Sequence, residues 1–266
     1  MTGSPFVLPE ALADKAAPAV VGADERHFLV VAHHLDRAVS VAEERLAQAR
    51  LAPAGEGQEA LDRDLEVHRT VARIRTLRRF SLDLCLGRMV SAAPPDAPVY
   101  IGRIGLRDDA GRHLLIDWRS LAAQPFFAAT PARPLGLLSR RRYRWNDGKV
   151  VDFWDEALGA VGALDSLALD DDSALVASLG ASRTGRMQDV LTTLQADQDE
   201  IIRASSRGPL VVDGGPGTGK TVVALHRAAY LLHEDPHLRE GSGRLLVVGP
   251  HRPYKSFVAD ILPNLG

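Results

Sequence analysis

The chain has 266 residues, 45% hydrophobic and 25% charged, with a formal net charge of −2. That is an ordinary globular composition with room for one large or two small domains, and its charge balance gives no global argument for nucleic-acid binding. The single Cys85 excludes an intramolecular disulfide and a cysteine metal cluster, and no apolar run approaches the ~18 residues of a membrane span, so a cytoplasmic protein with no membrane partner is the default expectation.

Residues 1–23 carry Pro5, Pro9 and Pro18 and read as a loosely ordered lead-in. Residues 24–90 read as an antiparallel coiled-coil hairpin. The first helix is expected from Asp24, as N-cap, to Arg50, with Phe28, Ala32, Leu35, Val39, Ala42, Leu46 and Ala49 on one seam. Pro53-Ala54-Gly55-Glu56-Gly57 forms the turn. The second helix is expected from Gln58 to Val90, with Leu61, Val67, Val71, Ile74, Leu77 and Leu84 facing inward. The outward charges, Arg63, Arg69, Arg73 and Arg75 among them, read as a solvated face. The acids near the tip, Glu56, Glu59, Asp62 and Asp64, read the same way. A hairpin this long buries one seam and is a candidate protrusion toward a partner.

Pro94, Pro95 and Pro98 mark a boundary. Residues 97–155 read as a β-rich unit. Val99–Leu106 alternates like a strand, Asp108–Gly111 is turn chemistry, and His113–Trp118 is the returning strand. Pro125-Phe126-Phe127 begins another apolar run. Leu137–Trp145 and Lys149–Trp154 form a hairpin across Asn146-Asp147-Gly148. Arg140, Arg141, Arg142 and Arg144 on its first strand fit an edge strand with arginines facing water; a nucleic-acid-touching ribbon is the alternative. Residues 156–185, with Asp170-Asp171-Asp172, read as a connector, and Arg186–Ala204 as a helix.

The most informative stretch follows. Gly214-Gly215-Pro216-Gly217-Thr218-Gly219-Lys220-Thr221 fits the P-loop pattern G-x-x-x-x-G-K-[ST]. Pro209–Asp213 before it reads as a short buried strand. Thr221–Leu232 after it reads as a helix with Val222, Leu225, Ala229 and Leu232 on one face. Glycines let main-chain N–H groups turn onto phosphate oxygens with no Cβ in the way, and the helix N-terminus adds its dipole. Lys220 would neutralise the β- and γ-phosphates of ATP, and the Thr221 hydroxyl would sit on Mg²⁺. Arg244–Pro250 reads as a second buried strand and Pro253–Leu262 as a second helix. Residues 186–266 thus read as an incomplete parallel sheet with helices.

Leu194-Gln195-Ala196-Asp197-Gln198 ahead of the P-loop resembles the Q-motif helix of superfamily 1 helicase motors of the UvrD/Rep kind, which implies that Gln198 reads the adenine edge. Leu246–Pro250 falls where they place motif Ia. Four segments carry a closer resemblance, to the HelD family: Tyr100–Gly105, Ile116-Asp117-Trp118-Arg119, Met187–Ala204, and Gly249-Pro250 through Gly266. Leu121 departs from the proline expected in that family's turn. The resemblance implies an ATP-driven factor whose hairpin, residues 24–90, binds bacterial RNA polymerase and whose motor releases the enzyme from nucleic acid; direct nucleic-acid contact stays open. It also implies that residues 186–266 belong to a RecA-like domain. A Walker B acid pair, an arginine finger and a second motor domain are expected beyond this chain, so hydrolysis by the chain alone should be weak. A non-catalytic polymerase-binding module and a DNA helicase of the UvrD/Rep kind are the alternatives. The expected fold class is therefore α/β and multi-part: coiled-coil hairpin, β-rich unit, partial P-loop domain.

Overall fold

A computed structural model describes residues 4–52, 57–79, 82–93, 97–158, 191, 194–239, 245–261 and 265. A six-stranded mixed sheet lies at its centre. The strands are β1 (Cys85–Ser91), β2 (Val99–Gly102), β3 (Leu106–Arg107), β4 (His113–Asp117), β5 (Leu137–Asn146) and β6 (Lys149–Ala157), in the spatial order β3-β4-β2-β1-β5-β6. All neighbours are antiparallel except β2 and β4, which run parallel with Ile101 beside Ile116. The expected single strand over 99–106 is therefore split. Residues 103–105 cross between its two parts, with the Arg103 N–H donating to the Leu84 carbonyl at 2.8 Å, and only β3 and β4 form the hairpin around Asp108–Gly111.

Helix α1 (Pro18–Leu51) covers one face of the sheet and runs beside α2 (Gln58–Arg79). Its start lies at Pro18, not Asp24, because proline suits the first helical turn and the residues after it are anchored by packing. Residues 4–16, expected to be loose, are tied to β6. The Val7 N–H donates to the Val150 carbonyl at 2.9 Å, the Val150 N–H donates to Pro5 at 2.8 Å, and Phe6 is buried. This segment shields part of the β6 edge, which would otherwise expose unpaired backbone. Phe28, Leu35 and Ala42 of the expected seam are buried, and Val31 joins them, because the first half of α1 packs on the sheet rather than on α2. In α2, Ile74 and Leu77 are buried and Leu61 is exposed. Ion pairs Arg45–Glu66 and Arg78–Glu43 tie the two helices together; residues 53–56 of the expected turn, Glu56 included, lie outside the described residues.

The second helix does not reach Val90. Residues 82–84 form a short 3₁₀ turn and 85–91 are the strand β1, paired on both sides. Tertiary packing overrides the apolar spacing here: a Cβ on Gly87 would lie 2.2 Å from the Arg141 carbonyl oxygen and 2.6 Å from the Phe126 ring. Phe126 and Phe127 sit on a short helix, α3 (Gln124–Ala128), which fills the other face of the sheet. The turn at Asp147 and Gly148 behaves as expected, both residues having positive φ (47° and 73°) between the paired Asn146 and Lys149, the geometry of a type I′ hairpin.

The arginine run on β5 corrects both sequence-based readings. The strand is internal, and Arg140, Arg141 and Arg142 are buried. The ladder sets Arg140 opposite Glu156 and Arg141 opposite Asp155, and each pair forms a salt bridge. Arg141 also reaches across to α1, donating to Asp24 Oδ2 at 2.8 Å and to the Val20 carbonyl at 2.8 Å. Asp24, expected as an N-cap, lies inside α1 and is 1% exposed; it accepts from Tyr100 Oη at 2.7 Å and pairs with Arg88 at 3.0 Å. Desolvation opposes the Arg141 charge, but the carboxylates of Asp155 and Asp24 outweigh it and raise its affinity for the proton.

Beyond the sheet come α4 (Ala196–Arg203), α5 (Lys220–Glu234), α6 (Pro236–Arg239) and α7 (Arg252–Ile261). Ile202, Val223, Leu225, Ala229 and Tyr230 join Trp118, Phe126 and Phe127 in one core. The connector beyond residue 158, Asp170–Asp172 included, lies outside the described residues, as does most of 186–193. The strands expected over 209–213 and 244–250 are not formed: 209–213 and 245–249 have no regular secondary structure and pair with no strand among the described residues, and Val211, Leu246 and Val248 are more than 80% exposed. A strand needs a neighbour to satisfy its backbone, and these segments have none here. A RecA-like parallel sheet is accordingly not formed by the described residues.

Candidate nucleotide site

The P-loop pattern occupies the turn that leads into α5. Gly217 and Gly219 have φ of 82° and 85°, a left-handed conformation that a side chain disfavours. Gly219 is the N-cap of α5, with no side-chain cap, so the first main-chain N–H groups of a 15-residue helix are free of side-chain capping. Lys220 is the first helical residue and folds over the loop, its Nζ donating to the Gly214 and Gly215 carbonyls at 2.7 Å each. Thr218 Oγ1 donates to the Gly215 carbonyl at 3.0 Å, and the Gly214 N–H donates to Asp213 Oδ1 at 2.7 Å. Residues 214–218, Pro216 included, are exposed, and Gly219, Lys220 and Thr221 are half-buried.

Gln198 lies against this loop although it is 20 residues away in sequence. Its Oε1 accepts from the Gln195 N–H at 3.2 Å and closes a capping box on α4, while its Nε2 donates to the Thr218 carbonyl at 3.3 Å. A Cβ on Gly219 would stand 3.2 Å from that Nε2. The amide expected to read an adenine edge is thus beside the loop, engaged in holding it.

The residues fit a nucleoside triphosphate with Mg²⁺. Glycine backbone, an open helix N-terminus and one ammonium converge, the combination that stabilises phosphate oxygens. Thr221, at the second position of α5, is where the metal-binding hydroxyl of a P-loop belongs. Among the described residues no group of three His, Cys, Asp or Glu side chains could hold a metal by itself, so the ion would come with the phosphates. No helix among those residues is long and apolar enough to cross a membrane.

The loop is anchored by contacts that sequence reasoning did not foresee. On α5, Val223 and Leu225 face the core, whereas Val222 is half-buried and Leu232 is 42% exposed, so the apolar face is rotated from the expected one. Arg227 caps the end of α4, donating to the carbonyls of Ile201, Ile202, Ala204 and Ser205 at 2.6–3.2 Å. Arg203, one turn from Asp199 and paired with it at 2.9 Å, donates to the carbonyls of Trp118, Arg119 and Ser120 at 2.7, 3.1 and 3.2 Å. Burial pushes the Asp199 carboxyl up, and Arg203 holds it back. The Asp117-Trp118-Arg119 turn is therefore the socket for α4. The Asp117 carboxylate braces Arg119 at 2.7 and 2.8 Å, and the fully buried Trp118 ring lies 5.5 Å from His226 of α5 and donates through Nε1 to the Leu265 carbonyl at 2.9 Å. The only sequence signal for this socket was the family-like segment itself.

The family model described as "DNA helicase IV HelD, N-terminal domain" matches residues 21–174, which cover α1, α2 and the whole sheet. The model described as "UvrD/REP helicase N-terminal domain" matches residues 194–248, which cover α4, the P-loop and α5. No curated protein matches the chain. Since the first match spans more than half of the 266 residues, and the second continues it in the order of a helicase-like motor, the chain belongs to the HelD helicase family.

Proposed function

We propose that this chain is the N-terminal part of an ATP-driven superfamily 1 motor that binds bacterial RNA polymerase through the helical hairpin within residues 24–90 and promotes its release from nucleic acid. The observation that carries this reading is the run of a HelD N-terminal match into a UvrD/REP match, with the Gln198 amide touching the P-loop. ATP with Mg²⁺ is the expected nucleotide, supplying a phosphoanhydride whose hydrolysis drives the motor when the whole protein is assembled. Within this chain, the main-chain N–H groups of residues 214, 215 and 217–219 would hold the phosphates (Pro216 has none to give), Lys220 would exchange its two carbonyl partners for them, and Thr221 would hold the metal. Gln198, now donating to the Thr218 carbonyl, would exchange that bond for one to the base. Residues 186–266 form part of a RecA-like domain in this reading, and residues 97–155 brace the hairpin on it.

The test has two arms. A fluorescent ATP analogue should bind the chain in a Mg²⁺-dependent way, and Lys220→Ala should weaken binding at least tenfold; equal binding by the variant overturns the site. Immobilised RNA polymerase should retain the chain, and shortening the hairpin around residues 48–62 should abolish retention. Retention that ignores both ATP and Lys220→Ala favours the non-catalytic binding module instead. No retention, with strand separation by the complete protein, favours a DNA helicase.

A further inference from the structure

At the base of the hairpin, α1, α2 and the β3–β4 turn enclose an open cleft of about 370 Å³. Five arginines line it, Arg37, Arg45, Arg69, Arg73 and Arg107, against two acids, Glu66 and Asp109. This local excess of positive charge sits in a chain whose overall balance is −2. Both acids are already engaged: Asp109 pairs with Arg37 and Glu66 with Arg45. Arg107 donates only to the Gly111 carbonyl, at 3.2 Å, and Arg69 and Arg73 have no ion pair or hydrogen bond through their side chains among the described residues. Arg69 and Arg73 are exposed, as expected of a solvated face, and both also line this cleft.

The arrangement is elongated. Arg69 and Arg73 are one turn apart, about 6 Å along α2, and Arg37 and Arg45 are about 12 Å apart along α1. A row of guanidinium groups two turns long suits a chain of phosphates better than a single anion, and the planar fork of each matches phosphate oxygens. No Phe, Tyr or Trp lines the cleft, and its one aromatic ring is the imidazole of His34, so it lacks the row of aromatic platforms on which successive bases stack. We propose that this cleft holds the sugar–phosphate backbone of a single nucleic-acid strand without reading its bases. The site is separate from the P-loop and does not depend on the function proposed for it.

The experiment is fluorescence anisotropy of a fluorescein-labelled oligo-dT with the full 266-residue chain, from 50 to 200 mM salt. Neutralising two or three phosphates of a single strand predicts a slope of log K against log salt of roughly −1.4 to −2, and an oligonucleotide of mixed sequence should bind within about twofold of oligo-dT. The double variant Arg69→Gln/Arg73→Gln should lose about tenfold or more in affinity and flatten the slope by roughly 1.4. Both side chains are exposed and have no hydrogen bond or ion pair among the described residues, so the thermal melt should stay unchanged. Lys220→Ala, which disables the P-loop, should leave oligonucleotide binding intact. The proposal is overturned if the wild-type chain fails to bind at 50 mM salt, if the double variant keeps wild-type affinity and slope, or if only Lys220→Ala weakens binding. Competition by poly-glutamate at the same phosphate-equivalent concentration as unlabelled oligonucleotide would also overturn it, and would assign the cleft to an acidic protein surface.

Discussion

The junction of α1 with the sheet and the segment around the P-loop handle polar and apolar groups in opposite ways. At the junction, charges are inside: Asp24, Arg88, Arg141 and Asp155 are all 9% exposed or less, and each has an opposite charge in contact. Around the P-loop, the polar loop is outside, and so are Val211, Leu246 and Val248. The first region is satisfied internally and works as a scaffold. The second leaves loop backbone and apolar side chains exposed, with the Lys220 ammonium folded onto two of the loop's own carbonyls. Arg203 joins the two, because it holds the nucleotide-side helix α4 on the carbonyls of the turn that follows β4.

The contrast breaks most readily at Asp24. Asp24→Ala leaves Arg88 without its carboxylate and Arg141 with only Asp155, and loss of one partner from a buried ion pair costs about 3–5 kcal/mol. The urea midpoint should fall accordingly, and a shift under 1 kcal/mol would mean that the junction is not the scaffold. A somewhat smaller effect is expected from His226. Burial, aided by the Arg103 guanidinium and opposed by the Val222 carbonyl, lowers its pKa from 6.5 to about 4. Between these values the unfolded chain binds the proton and the folded chain does not. The stabilisation is therefore complete above pH 6.5 and is lost as pH falls toward 4, up to about 3 kcal/mol. In His226→Phe the urea midpoint should vary less between pH 7 and 5 than in the wild type; identical slopes would remove the buried neutral imidazole from the account.

At the loop, Gly219→Ala places a side chain at φ 85° and against the Gln198 amide. It should cost about 1–2 kcal/mol of stability, and no change in melting would show that the loop is free to adopt another conformation. The smallest effect belongs to the exposed apolar segment. Leu246 is 85% exposed, so Leu246→Ser should alter stability by less than about 0.5 kcal/mol. A large loss there would mean that the side chain is covered, by a second copy of the chain or by its own loop.

Local chemistry was legible in the residues. Asp147-Gly148 announced its hairpin, since both positions need positive φ. The hairpin helices were legible in their spacing, and the P-loop glycines and Lys220 in their order. Gln198 was found by resemblance, and the structure sets it beside Thr218. The buried arginines were partly within reach. Counting outward from the Asp147-Gly148 turn sets Arg140 opposite Asp155 and Arg141 opposite Trp154; a register shift between Arg144 and Trp145 moves the ladder by one, so that Arg141 meets Asp155 and Arg140 meets Glu156, and acids at either register argue against an edge facing water. Asp24 was beyond reach, because its partners lie 64 to 117 residues away. The strand at 85–91 was equally hidden, since its apolar positions suit a helix until the neighbours on both sides are known.

The amino-acid order by itself determined where the Asp147-Gly148 turn falls, where most of the helices lie, and where the glycines and Lys220 of the P-loop pattern gather, because these depend on a few adjacent residues and their φ/ψ preferences. Only the tertiary structure decided which charges are buried, where the second hairpin helix gives way to β1, and that residues 209–213 and 245–249 find no strand partner among the described residues. Burial and strand pairing are properties of neighbours distant along the chain, and a carboxylate becomes an anchor or a solvated cap according to which of them it meets.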